Sequence, residues 1–194
     1  MLSVARELQA SLVTRVPSVL VRSNEGWTPL EKDMTVQDAD DAKDRYARFA
    51  PILRRLFADS GWDGVIASPL IEYDGVSPVP GRLLVKCDHE LPLTGTVKAR
   101  GGVYEVLCLV ERLGYEAGLV EPGGNLEPLL GQKARRMLAG YRVLAGSTGN
   151  LGYSIGLVAT AFGLKAEIHM SHDAKDWKKE RLRKLGVHVV EHSG

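Results

Sequence analysis

"YRVLAGSTGNLGYSIGLVATAFGLKAEIHM", residues 141–170, decides the fold, because three different patterns follow one another in it. YRVLAG reads as a strand. After a turn of glycines and hydroxyl residues, NLGYSIGLVATAFG reads as a largely apolar helix stopped by Gly163. KAEIHM reads as a second strand. Further on, DAKDWKKERLRKLG reads as a charged helix with a narrow stripe of Ala174, Trp177, Leu182 and Leu185, and VHVVEH as a third strand. Strand, helix, strand, helix, strand predicts an α/β fold: an open, mostly parallel sheet with right-handed crossovers and flanking helices. Such a sheet normally continues beyond a third strand, so the arrangement is expected to be incomplete.

Upstream the pattern is less regular. Residues 36–57 predict a helix interrupted at Pro51, with acidic residues in its first turns and Ile52, Leu53, Leu56 and Phe57 forming a fresh apolar face after the break. Residues 60–81 are rich in turn formers and predict a surface connection. A strand is expected at residues 83–87, closed by Pro92. From Thr96 onward Ala99, Val103, Val106, Leu107, Val110 and Leu113 recur at helical spacing, with Gly118 near the stop. A loop at residues 121–132 and a short helix at residues 133–139 follow. Residues 1–142 are expected to hold an N-terminal extension and the start of one domain, and residues 143–194 the start of a second βαβαβ domain.

The chain has 194 residues, enough to bury a real core, with 25 basic against 24 acidic side chains. That balance leaves no global field to recruit nucleic acid or an anionic membrane, and a small neutral or zwitterionic partner is the expectation. Cys87 and Cys108 lack metal-type spacing and suit free thiols in a reducing compartment. Arg6, Glu7, Arg15 and Arg22 break the N-terminal segment before any apolar run reaches signal-peptide length. A cytoplasmic location follows as the expectation.

Two places could carry chemistry. The first is LTGTVKARGG, residues 93–102, which sets Lys98 where a helix begins. The positive end of a helix dipole disfavours an ammonium, by roughly 0.3–1 kcal/mol when exposed, and so eases access to a neutral amine able to attack an aldehyde. Gly101 and Gly102 each cost about 1 kcal/mol relative to Ala inside a helix. Room for ligand atoms would offset that cost, whereas a lysine in a first turn is also an ordinary surface group. The second place is AGSTGNLGYS, residues 145–154, between a strand and a helix. Backbone N–H groups and the hydroxyls of Ser147 and Thr148 could converge there on a carboxylate or phosphate. Gly146, Gly149 and Gly152 follow neither the dinucleotide fingerprint nor the phosphate-loop pattern. A tight connection capped by Asn150 would explain the glycines, but not the cluster of Ser, Thr and Asn.

Other features have plain readings. His169 and His172 lack a third ligand at metal spacing, so no metal is expected. KDWKKERLRK mixes its charges as a solvated crossover helix does. Glu105 reads as a surface carboxylate and Cys108 as a core residue rather than a reactive one.

Taken together, the lysine at a helix start and the Ser-Thr-Gly-Asn loop resemble the pyridoxal-phosphate enzymes of the tryptophan synthase β-like fold. RFAP, LPLTGTVKARGGVYEVL, GSTGNLGYSIG and HMSHDAKDWKKERLRKLGVHVVE are similar to the D-serine dehydratase (D-serine ammonia-lyase) branch, from about Val36 to the C-terminus. The resemblance implies pyridoxal 5'-phosphate as cofactor, an amino acid as substrate, and α,β-elimination of D-serine to pyruvate and ammonia. It implies Lys98 as the Schiff-base lysine and proton carrier, Asn150 as partner of the cofactor's phenolic oxygen, and Ser147, Thr148 and Gly149 as the substrate-carboxylate site. In that family a glycine-rich loop from the second half of a chain about twice this length clamps the phosphate. PGGN, residues 122–125, does not replace it. The expectation is therefore an N-terminal part of such an enzyme, doubtful as a catalyst alone. An L-serine or L-threonine dehydratase or a racemase of the same fold is the enzymatic alternative. A noncatalytic α/β module that self-associates through its unfinished sheet is the other.

Overall fold

The structure is a computed structural model, and it describes residues 35–75 and 81–193. The reading of the N-terminal segment lies outside them. Helix α1, Val36–Leu56, is followed by β1, Leu70–Glu72, and β2, Leu84–Lys86, which pair antiparallel. Then come α2, Lys98–Glu116, and α3, Gln132–Leu138. The remainder is β3, Arg142–Gly146; α4, Asn150–Phe162; β4, Lys165–Ser171; α5, Asp176–Lys184; and β5, His188–His192. Strands β3, β4 and β5 lie side by side in that order, all parallel, as the alternation predicted.

Helix α4 positions the rest. It is apolar on most of its surface because it is covered on more than one side. Gly152 lies against β4, where an added Cβ would fall 2.8 Å from Ile168 Cγ2. Gly102 of α2 meets α4 from another direction, its Cβ position only 2.3 Å from Ser154 Oγ. Ala166, Ile168 and Met170 of β4 are buried, and they share a core with Val103, Leu107 and Val110 of α2 and Val158 and Phe162 of α4. Phe49 of α1 joins it through an edge-on contact with Phe162 at 6.1 Å between centroids.

Three local readings are corrected. Pro51 does not break α1, which runs through it, because Phe49, Ile52 and Leu53 are all fully buried on one side and hold the last turns in place. The expected connection at residues 60–81 contains β1, whose exposed residues give no alternation to read. The stripe of α5 is wrong at Trp177, which is 56% exposed, and Ala174 precedes the helix. Lys179 and Leu182 are buried instead. Lys179 can be buried because its Nζ donates to the His172 carbonyl and to Glu191 Oε2, both at 2.6 Å.

Candidate active site

Lys98 is the first residue of α2 and is exposed. Its backbone N–H donates to Thr96 Oγ1 at 3.3 Å, so the threonine supplies one of the partners that a helix start lacks. The approach to it is constrained: Leu93 has φ 69°, the one non-glycine with positive φ among the described residues. Such a backbone costs on the order of 1–3 kcal/mol, and strained residues of this kind gather at ligand sites and switches. The Lys98 ammonium makes no hydrogen bond or ion pair among the described residues.

Asn150 is the first residue of α4, and Gly149 is its N-cap. The expected capping by Asn150 does not occur, because Asn150 already lies within the helix. Ser147 satisfies the helix start instead, since its Oγ accepts from Gly152 N–H at 2.9 Å and from Gly149 N–H at 3.3 Å. With its lone pairs so used, the hydroxyl proton of Ser147 remains to be donated. Ser147 N–H donates to the His169 carbonyl at 2.9 Å, tying the loop to β4. Thr148 and Asn150 are exposed, and their side chains have no hydrogen-bond partner among the described residues.

Gly102 brings these two stretches together. It lies one turn into α2, and it touches Leu151, Ser154 and Ile155 in the first turns of α4. Each helix has advanced only about 6 Å from its first residue at that contact. The glycine pair thus does two different things. Gly102 makes room for a helix, not for a ligand, whereas a Cβ on Gly101 would meet nothing within 4 Å.

The loop also borders a cavity of about 470 Å³ at the carboxyl ends of the parallel strands, lined by Gly146, Ser147, Thr148, His169, Ser171 and His192 among others. Ligands of open α/β sheets bind at such ends. Lys98 and Asn150 are not among its lining residues. Sequence spacing did not place His169 and His192 there. His169 Nδ1 lies 2.7 Å from His192 Nε2, and His169 Nε2 lies 3.0 Å from Glu167 Oε1. The other Glu167 oxygen meets His188 Nδ1 at 3.0 Å and Arg142 at 2.8 Å. The hydrogen bond from His188 is the main cause that holds the Glu167 carboxyl below the usual carboxylate range, with His169 and Arg142 adding to it against some burial. Strand alternation puts 167, 169 and 171 on one face, but only the register Ser171↔His192 brings in the second histidine.

Cys87 and Cys108 are free thiols. Burial pushes the Cys108 thiol up, which suits a packing residue and not a nucleophile. Glu105 is exposed, as expected.

A profile of the family described as "Pyridoxal-phosphate dependent enzyme" matches residues 62–194. A curated protein of Acidovorax sp. (strain JS42) named "Probable D-serine dehydratase" is 46% identical over 171 residues, covering 83% of this chain and 38% of its own length. Proteins of the same name match from Hahella chejuensis, 48% identical over 157 residues (78% and 36%), and from Bacillus subtilis, 38% identical over 192 residues (93% and 43%). The chain therefore spans about two fifths of the length of these relatives. Among solved structures, diaminopropionate ammonia lyase of Escherichia coli in apo form superposes with a TM-score of 0.59 at 16% identity, covering 88% of this chain and 42% of that one. A pyridoxal 5'-phosphate-dependent aspartate racemase gives 0.54 at 18% identity, covering 84% and 39%. At such identities these two show the fold alone.

Proposed function

The chain belongs to the family of pyridoxal-phosphate dependent enzymes, and from that premise we propose that it is a portion of a D-serine dehydratase. The reaction removes the α-hydrogen and the β-hydroxyl of D-serine and ends in pyruvate and ammonia. The observation that carries the reading is the contact of Gly102 with the first turns of α4, which sets the amine of Lys98 and the amide of Asn150, neither with a partner among the described residues, each one turn from the same helix crossing. Support for D-serine over L-serine is the shared name of relatives 38–48% identical over most of this chain.

The residues present fit the cofactor's aldehyde end. A primary amine is exposed at the start of α2, one turn before Gly101, whose own Cβ position has nothing within 4 Å. Thr148 and Asn150 still have donors to give, and Ser147 keeps its hydroxyl proton. When bound, pyridoxal phosphate supplies an electron-poor ring that stabilises negative charge at the substrate's α-carbon. Lys98 would hold the cofactor through its amine and would be the group placed to carry a proton at the substrate's α-carbon. Asn150 would hold the ring's oxygen through its amide N–H. Ser147, Thr148 and Gly149 would bind the substrate carboxylate through hydroxyls and backbone N–H groups and so orient the substrate.

The same reading makes residues 1–142 an extension plus the start of one domain, and residues 143–194 the start of another, both completed by sequence that the longer relatives possess. We place the protein in the cytoplasm, with no nucleic-acid or membrane partner. No helix among the described residues is long and apolar enough to cross a membrane, and the near-balanced charge gives nucleic acid no footprint. The outer strands β3 and β5 would let the isolated chain self-associate, a state sedimentation reads directly.

A pyruvate assay tests the function. Joined to the remaining length of a curated relative and supplied with cofactor, the protein should release pyruvate from D-serine at least about tenfold faster than from L-serine. Lys98→Ala should lose on the order of 10³-fold or more of that rate. Preference for L-serine, or no pyruvate from either, contradicts the proposal.

A further inference from the structure

Away from the α2 and α4 helix starts, the turn that leaves β2 gathers three potential metal ligands. Cys87, His89 and Glu90 offer a thiol, an imidazole and a carboxylate whose ligating atoms all lie within 4.8 Å of one another. Zinc bonds of about 2.0–2.3 Å put tetrahedral ligands roughly 3.3–3.8 Å apart. The three groups would thus close by little more than an ångström onto one ion. His89 Nε2 already stands 3.4 Å from Glu90 Oε1.

The backbone beneath them is held. Cys87 N–H donates to the Pro69 carbonyl and Glu90 N–H to the Cys87 carbonyl, each at 2.9 Å. Asp88, between the ligands, is engaged elsewhere: it accepts from Ser68 Oγ at 2.6 Å and faces Arg100 at 3.9 Å. The turn therefore directs residues 87, 89 and 90 to one place and residue 88 to another. Cys87 is 2% exposed, whereas the side chains of His89 and Glu90 are 73% and 53% exposed. An ion can arrive from solvent on the His89 and Glu90 side and reach a thiol anchored in the protein.

We propose that Cys87, His89 and Glu90 form a binding site for a zinc-class divalent transition-metal ion, separate from the cofactor residues. A thiolate with an imidazole selects borderline-soft ions over magnesium or calcium, which take oxygen ligands. Three protein ligands leave a fourth position for water. Binding replaces the Cys87 S–H bond with a sulfur–metal bond, and the proton passes to solvent; no group changes oxidation state. The ion clamps the turn at the head of the segment leading to Lys98, since Gly95 N–H donates to the carbonyl of Leu91, the residue after Glu90, at 2.9 Å.

Cobalt(II) titration of the untagged, metal-stripped 194-residue chain tests the site with no cofactor present. One cobalt per chain should bind, with a thiolate-to-cobalt charge-transfer band in the near ultraviolet that zinc abolishes. Cys87→Ser should remove the band, and Cys108→Ser should keep it. His89→Ala and Glu90→Gln should each weaken binding by more than about tenfold. These two side chains are exposed, so their variants decide the matter even where Cys87→Ser folds poorly. No band at stoichiometric cobalt, a band that survives Cys87→Ser, or unchanged affinity in both the His89 and Glu90 variants overturns the proposal.

Discussion

Ser147 and Asn150 stand three residues apart, yet they should behave oppositely when altered. Ser147 Oγ accepts two backbone N–H groups at the start of α4. Its loss in Ser147→Ala should cost about 1 kcal/mol in urea-induced unfolding. Asn150→Ala removes a side chain with no partner among the described residues, and stability should stay within about 0.5 kcal/mol while cofactor binding weakens. Glu111 is a second case, set in the core of α2 and only 3% exposed, with Arg45 Nε at 2.7 Å and Arg48 also bonded to it. Burial opposes its ionisation, but hydrogen bonds from Arg45, Tyr115 and Arg48 outweigh it and hold the carboxyl below its ordinary value. A carboxyl lowered by folding contributes stability that is present above the unfolded-state value and is lost as pH falls through the folded one. Glu111→Gln should therefore lower stability at neutral pH by about 2 kcal/mol or more. It should also flatten the decline of stability on acidification, as read from unfolding midpoints at a series of pH values. The cluster of hydroxyl and amide side chains at Ser147, Thr148 and Asn150 is legible from residue type alone. Which of them caps the helix is not, because that depends on where Gly149 lets the helix begin.

At the scale of the element, the two glycines at the start of α2 make opposite expectations. Gly102→Ala would drive a Cβ to 2.3 Å from Ser154 Oγ and 3.0 Å from Leu151 Cδ1. Overpacking of that kind should cost about 1–3 kcal/mol and push the two helix starts apart, weakening cofactor capture as well. Gly101→Ala meets open space and should gain up to about 1 kcal/mol in helix propensity. A thermal melt of the two variants reads the sign directly. Apolar runs of helix or strand length between clear turn signals located α2, α4, β3, β4 and β5 to within a residue or two. Pro51 and β1 were misread for a shared reason: the packing that carries α1 through its proline, and the partner strand that makes β1 a strand, both come from elsewhere in the chain.

For the whole molecule, three parallel strands and their crossover helices form a framework that gathers the loop after β3 and the ends of β4 and β5 into one neighbourhood, while Gly102 sets the first turns of α2 against those of α4. The parallel order followed from alternation and handedness, which local sequence carries. The neighbourhood did not, since Gly102 against Ser154 spans more than fifty residues and the pairing of Ser171 with His192 depends on register. The chain spans about two fifths of the curated relatives' length. Full turnover is accordingly expected of a longer protein, whereas capture of the cofactor aldehyde is expected of Lys98 here. The most direct measurement is to incubate the 194-residue chain with pyridoxal phosphate, reduce with borohydride, and map the label by peptide mass spectrometry. The label should sit on Lys98, develop with a visible absorbance, and vanish in Lys98→Ala. Equal labelling of wild type and Lys98→Ala, or a label spread over the exposed lysines, would contradict the assignment of Lys98 to the cofactor.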